Sequence, residues 1–301
     1  MVPVYLGGVG LSFFTALLWG VLPIFLKIAL QGFHAGTIAW FRFLLAFLML
    51  AAFLHWKEQK PLDILFKPPW MGVLGGACLS ANYYWVTVGI DLSGPSNMAV
   101  LIQIASVFLV LVGVFVFNER LTLRQVQGII IAGGGLFLFF YDQQNQVQEP
   151  GEYYFADFLI VMAALVWVGY MISQKFLSRQ HGSQSLNLLV YAVAALFLIG
   201  GVEWADFIHA GLLPWFSLIF CGVNTLLAYG TLAEAVKYIP LTLISVIISL
   251  NPLITLFGMK FLPDIGFAGL QPDPIGSLGY LGGGIAVTGV VLVVASCSQQ
   301  K

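Results

Sequence analysis

Thr15-Ala-Leu-Leu-Trp19, followed by Lys27, is echoed 148 positions later by Ala163-Ala-Leu-Val-Trp167, followed by Lys175 (167 − 19 and 175 − 27). Both segments lie inside apolar stretches long enough to cross a bilayer. A run of roughly 18 or more apolar residues spans the hydrocarbon core, and a helix satisfies its own backbone polar groups there. Ten such stretches fill the 301-residue chain, at 7–30, 36–56, 70–90, 97–117, 125–141, 155–176, 185–202, 214–234, 241–262 and 276–296. Charged residues are 8 % of the composition and hydrophobic ones 60 %. A soluble domain carries roughly 25 % charged residues. The expected fold class is an all-α integral membrane protein with ten transmembrane helices.

The Trp and Lys echo divides these helices into two sets of five. An odd number of spans per set forces the halves to insert with opposite orientation, giving two inverted five-helix repeats. Inverted repeats characterise many transporter folds, whose substrate sites lie at the repeat interface near the midplane. A second echo pairs Gly89-Ile-Asp-Leu with Ala235-Val-Lys-Tyr. Residues 1–145 form the first expected repeat and 155–301 the second. The polar, Gln-rich stretch Asp142 to Glu152 joins them, with 146–154 as a periplasmic linker.

Basic residues near span ends are retained on the cytoplasmic side. Lys57, Lys60, Lys67, Arg120, Arg124, Lys175, Arg179, Lys237 and Lys301 share one side if both termini are cytoplasmic. The opposite loops carry acids and no Lys or Arg. Met1 to Gly10 lacks the basic n-region of a cleavable signal, and the first apolar run is too long for one, so it reads as a retained span. The net charge of −1 offers no basic surplus for nucleic acid. Cys78, Cys221 and Cys297 have no metal-ligand or redox spacing, and they read as small buried residues. No cofactor and no metal are expected.

In order and spacing, a set of motifs resembles the EamA-type ten-span members of the drug/metabolite transporter superfamily. They are Leu18-Trp-Gly with Lys27, Trp40-Phe-Arg-Phe-Leu-Leu-Ala46, Phe117-Asn-Glu-Arg-Leu-Thr122, Arg124-Gln-Val-Gln-Gly128, Gly133-Gly-Gly135, Ala235-Val-Lys-Tyr-Ile-Pro240 and Leu250-Asn-Pro252. The likeness covers nearly the whole chain. One departure is Pro263-Asp264, where the family often repeats a Gly-Glu pair, followed here by a longer loop over 263–274. The resemblance implies a secondary carrier in the bacterial inner membrane, an exporter whose central cavity is lined mainly by spans one, three, four, six, eight and nine.

Polar groups at bilayer depth should face other helices or water, and helical neighbours recur at three and four positions. This reading gives candidate substrate-binding residues Trp19, Ser80, Asn82, Tyr83, Tyr84, Gln103, Ser106, Trp167, Tyr170, Asn224, Ser245, Ser249 and Asn251. The stripe Ala99, Gln103, Ser106 maps onto Ser245, Ser249, Pro252 at a constant offset of 146 (249 − 103). Each polar residue has an alternative reading as a packing contact between helices. Asn251-Pro252 marks either a gating bend or a packing kink, because Pro removes a backbone donor.

Four charges stand apart as structural or gating groups: Lys27, Arg42, Glu119 and Glu234. Arg42 falls about 9 Å into span two. It either ties that span to an outer-loop carboxylate or carbonyl groups, or binds a substrate carboxylate. Lys27 reads as solvated near a span end. Glu119 and Glu234 read as local ion pairs with Arg120 and Lys237, or alternatively as proton-coupling groups. No acid falls at mid-span, so the expected carrier is facilitated or weakly coupled. A basic cluster for sugar-phosphate cargo is missing, which leaves a neutral or zwitterionic, partly apolar small molecule such as an amino acid.

His34, His55, His181 and His209 are scattered over loops and span ends, and no Gly-x-Ser-x-Gly occurs. An enzyme is not expected. A structural or regulatory membrane subunit is the alternative. Gly279, Gly283 and Ala286 in span ten are small-residue positions that suit either a homodimer or packing within the chain.

Overall fold

Long apolar runs punctuated by Gly, Pro and polar clusters fold into helices that end where the punctuation falls. The protein is described by a computed structural model covering residues 2–57, 63–117, 122–146, 150–177, 180–235, 238–239, 244 and 247–296. Two of the singled-out residues, Glu119 and Ser245, lie outside the described residues. The helices are α1 (Val2–Ala29), α2 (Ala35–Trp56), α3 (Asp63–Phe66), α4 (Trp70–Ser93), α5 (Pro95–Leu101), α6 (Ile104–Phe117), α7 (Leu123–Gln146) and α8 (Pro150–Leu177). They continue with α9 (Ser183–Leu198), α10 (Asp206–His209), α11 (Leu212–Ala235), α12 (Asn251–Phe261) and α13 (Ser277–Ser296). Among the described residues there is no strand.

Seven helices are long and apolar enough to cross a membrane, within α1, α2, α7, α8, α9, α11 and α13. The α4 helix has the length, with 24 residues. Ser80, Asn82, Tyr83, Tyr84 and Thr87 make its middle less apolar than those seven. The fourth expected span is divided: Gly94 turns the chain with φ of 88°, Pro95 opens α5, and the helix breaks again at Ile102–Gln103 before α6. Pro suits the first helical turn because its missing N–H would be unpaired there anyway. The ninth expected span breaks at Ser249–Leu250, and α12 begins with Asn251-Pro252.

Packing pairs α7 with α13, α4 with α8, α11 with α1, and α2 with α9. Glycine sets the closest of these contacts. A Cβ on Gly135 would overlap the backbone of Ala286, and one on Gly289 the backbone of Ala132. Gly283 stands against Leu256, Gly279 against Asp142, and Ala286 is buried. The three small residues of span ten are thus in contact with their own chain.

Candidate functional site

The buried residues of α4 include the candidates Ser80, Asn82 and Tyr83, with Thr87 and Ile90. Tyr84 is 40 % exposed, and Tyr83 takes the inward place. Local back-bonds occupy the hydroxyls of this face: Ser80 Oγ donates to Ala77 O at 2.7 Å and Thr87 Oγ1 to Tyr83 O at 2.7 Å. The Tyr83 ring packs on Phe43 with centroids 4.4 Å apart. Phe43 in turn meets Tyr191, Tyr191 meets Tyr229, and Tyr229 takes the edge of Trp19 at 5.7 Å. Tyr170 joins the same core, and Trp167 packs against it. Six helices thus contribute to one aromatic cluster. The Tyr191 hydroxyl in this cluster is buried and has no hydrogen-bond partner among the described residues.

Arg42 enters this cluster from α2 and is 2 % exposed. Its Nε and Nη2 both donate to Thr225 Oγ1, at 3.3 and 3.2 Å, and its Cζ lies 4.3 Å from the centre of the Tyr83 ring. An Arg at the helix centre costs roughly 2.5–3.5 kcal/mol on the insertion scale. A desolvated cation–π contact returns roughly 2 kcal/mol. The expected tie to an outer-loop carboxylate is not what the structure holds. The partners of Arg42 are a neutral hydroxyl and a ring, and both oxygens of the loop acid Asp206 are engaged elsewhere.

Asn82 and Asn224 reach across helix pairs. Asn82 Nδ2 donates to Ala163 O at 2.9 Å, tying α4 to α8, and Asn224 Nδ2 donates to Leu18 O at 2.8 Å, tying α11 to α1. The Asn224 Oδ1 is buried and has no partner among the described residues. Thr15 and Thr231 hydroxyls meet at 2.8 Å on the second of these pairs. At the two helix breaks, Gln103 Nε2 donates to Ser249 O at 3.1 Å. Thr255 Oγ1 donates to Gly20 O at 2.6 Å, fastening α12 to α1. Ser106 and Asn251 are half-buried beside these breaks.

The remaining charges make local contacts. Lys27, expected as solvated, bonds to the carbonyls of Ile90 and Asp91 at 3.3 and 2.8 Å, with Asp91 Oδ1 at 3.9 Å. Both carbonyls lie in the last turn of α4, whose dipole favours a cation; Ile90 O also accepts from Gly94 N at 3.0 Å. Glu234 accepts a bond from Tyr238 Oη at 2.7 Å, and Lys237 lies outside the described residues.

Three clusters escaped the sequence reading. Asp206 accepts from His34 N, the His34 ring and Thr37 Oγ1, each at 2.8 Å, so it caps the start of α2 from a distant loop. Burial pushes its carboxyl up, but the bonds from the His34 backbone, the His34 ring and Thr37 outweigh this and hold it below the usual carboxylate range. Asp273 accepts from Ser96 N at 2.9 Å at the start of α5. Burial raises its carboxyl, against opposing bonds from Ser96 and the charge of Lys27. Asp157 accepts from Asn97 Nδ2 at 2.6 Å and is buried. The helix carrying it begins at Pro150, not at 155, so this carboxylate lies about 10 Å into the helix. Their shared signal was an acid beside a span end; the partners, distant in sequence, gave none.

Among the described residues no three His, Cys, Asp or Glu side chains converge to hold a metal ion. An apolar groove of about 540 Å³ lies between α12 and α13, lined by residues such as Leu253, Tyr280 and Ile285. None of the predicted site residues lines it.

The EamA-like transporter family matches residues 6–141 and 154–295. The chain belongs to this family. Similar proteins span nearly its full length. An "Uncharacterized transporter" of Haemophilus influenzae is 30 % identical, covering 95 % of this chain and 94 % of its own. The "Uncharacterized inner membrane transporter YhbE" of Escherichia coli (strain K12) is 33 % identical, covering 94 % of this chain and 90 % of its own. A "Probable amino-acid metabolite efflux pump" of the same strain is 26 % identical over 97 % of this chain and 96 % of its own. A solved crystal structure with 17 % identity has a TM-score of 0.65 and covers 98 % of this chain and 99 % of that one, so the fold is shared. This EamA-like chain is therefore a multi-pass membrane protein of a transporter family.

Proposed function

We propose that the protein is a secondary exporter of small neutral or zwitterionic, partly hydrophobic metabolites such as amino acids. It works by alternating access between two inverted five-helix repeats, 1–145 and 155–301, that together cross the bacterial inner membrane ten times with both termini cytoplasmic. The observation that carries this reading is the exchanged pairing of helices. The third expected span of one half packs on the first of the other (α4 on α8, α11 on α1), and an Asn-to-carbonyl bond fastens each pair. The pairs α7–α13 and α2–α9 match corresponding helices of the two halves. Such an arrangement lets one half rock against the other about a central site. The two matched stretches of the family, 6–141 and 154–295, flank the proposed linker. The relative named as an amino-acid metabolite efflux pump supports the cargo class. The aromatic cluster around Tyr83, Tyr170 and Trp167 suits a partly apolar ligand.

Purified protein in liposomes, preloaded with unlabelled amino acids, is expected to accumulate labelled phenylalanine or leucine by counterflow. Absence of counterflow across a panel of amino acids, dipeptides and cationic dyes would remove the carrier reading. Reporter fusions at the two termini are expected to report the same cytoplasmic face, and reporters in 146–150 the opposite one.

A further inference from the structure

Arg42 carries a full charge at a depth where a cation is ordinarily neutralised by an anion. Arg presents five N–H donors in a planar fork that matches a carboxylate. Here the donors Nε and Nη2 share a single acceptor, Thr225 Oγ1. That hydroxyl itself donates to Cys221 O at 2.9 Å, so its proton points away from Arg42 and its lone pairs face the guanidinium. The Tyr83 ring covers one face of the guanidinium plane at 4.3 Å. Both contacts orient the group, and neither cancels its charge. Among the described residues no carboxylate lies within 4.0 Å of it. Asp206, in the loop before α11, is engaged through both oxygens by His34 and Thr37.

A tie between helices would need no net charge, since Asn82 and Asn224 make such ties with neutral amides. A fixed, oriented and uncancelled cation inside an aromatic cluster has a different use. We propose that the Arg42 guanidinium receives the carboxylate of the transported molecule, so that the carrier selects small carboxylates bearing an apolar or aromatic side chain. The inference rests on the carrier reading above and adds the group that the cargo must possess. Tyr83 covers the cation, and the rings of Phe43, Tyr191 and Tyr229 continue the cluster from it and supply apolar surface for the rest of the molecule.

The test is ligand binding to the full-length protein in nanodiscs, with L-phenylalanine, 3-phenylpropionate, phenylalaninamide and phenethylamine as probes. The wild-type protein is expected to bind the two acids tighter than the amide and the amine by roughly 10- to 100-fold, the range for a charge-assisted hydrogen bond. Arg42→Gln should bring that ratio close to one, and Arg42→Lys should restore part of it. Equal binding of acid and amide by the wild-type protein overturns the proposal. So does binding of none of the four, or an acid preference that survives in Arg42→Gln. The wild-type ratio needs no variant, so a misfolded substitution does not remove the test. Acid-selective binding without liposome counterflow would end the carrier reading and leave Arg42 its role. Counterflow at equal rates for acid and amide would do the reverse.

Discussion

Gln103 donates its side-chain amide to the carbonyl of Ser249 at 3.1 Å, and the two residues stand 146 positions apart, the offset that also relates Ser106 to Pro252. Each sits at a break in its helix, one after α5 and the other before α12. The bond therefore joins the two interruptions. A helix break leaves carbonyls without their usual partners, and a neighbouring amide fills that need. It is one of several bonds between the two proposed repeats, beside those of Asn82, Asn224 and Thr255.

Gln103→Leu is expected to remove this contact while keeping the side-chain bulk. An interhelical bond of this kind contributes roughly 1 kcal/mol, so the ratio of the two access states should shift about fivefold. Labelling of a cysteine introduced at Ser106 from either side of the membrane measures the shift. Unchanged labelling from both sides would show that the junction does not take part in the movement.

The cap made by Asp206 should give stability a dependence on acid pH. Its carboxyl is held below the usual range in the folded protein. Stability from these bonds is then complete above the ordinary aspartate pKa of about 3.9 and is lost as pH falls through the lower folded value. Asp206→Ala should cost roughly 1–3 kcal/mol at neutral pH, because Thr37 and the His34 N–H lose their acceptor. Thermal unfolding in detergent from neutral to strongly acidic pH checks both, and the variant should lose the part of the acid slope that this group supplies.

Three adjacent glycines should respond differently to one methyl group. Nothing stands within 4 Å of a Cβ on Gly133 or Gly134, whereas one on Gly135 would meet the Ala286 backbone. Gly133→Ala and Gly134→Ala should leave stability unchanged or raise it by a few tenths of a kcal/mol through helix propensity. Gly135→Ala must push α7 and α13 apart, with a loss of roughly 1–3 kcal/mol. Melting temperatures of the three purified variants decide the matter.

Asn82 and Asn224 should behave as a pair. Each ties one half of the chain to a carbonyl of the other. Asn82→Leu and Asn224→Leu should each lower stability by roughly 0.6–2 kcal/mol, as read by thermal unfolding. A large loss in one and none in the other would argue against equivalent roles for α4 and α11.

The sequence by itself determined that this chain lives in a membrane, where most of its helices begin and end, and that its two halves echo each other. These properties follow from the length of apolar runs and from residues that stop helices, and both are written along the chain. Gly94-Pro95 and Asn251-Pro252 were legible for the same reason. Only the tertiary structure decided which face of each helix looks inward. A helix turns about 100° per residue, so of the two adjacent candidates Tyr83 is buried and Tyr84 is exposed. The break at Ile102–Gln103 has no Pro or Gly beside it to announce it. The partners of Arg42, Asp157 and Asp206 come from residues 183, 60 and 172 positions away. Such contacts depend on how helices pack, and helix packing in a membrane is set by close fit between surfaces more than by hydropathy.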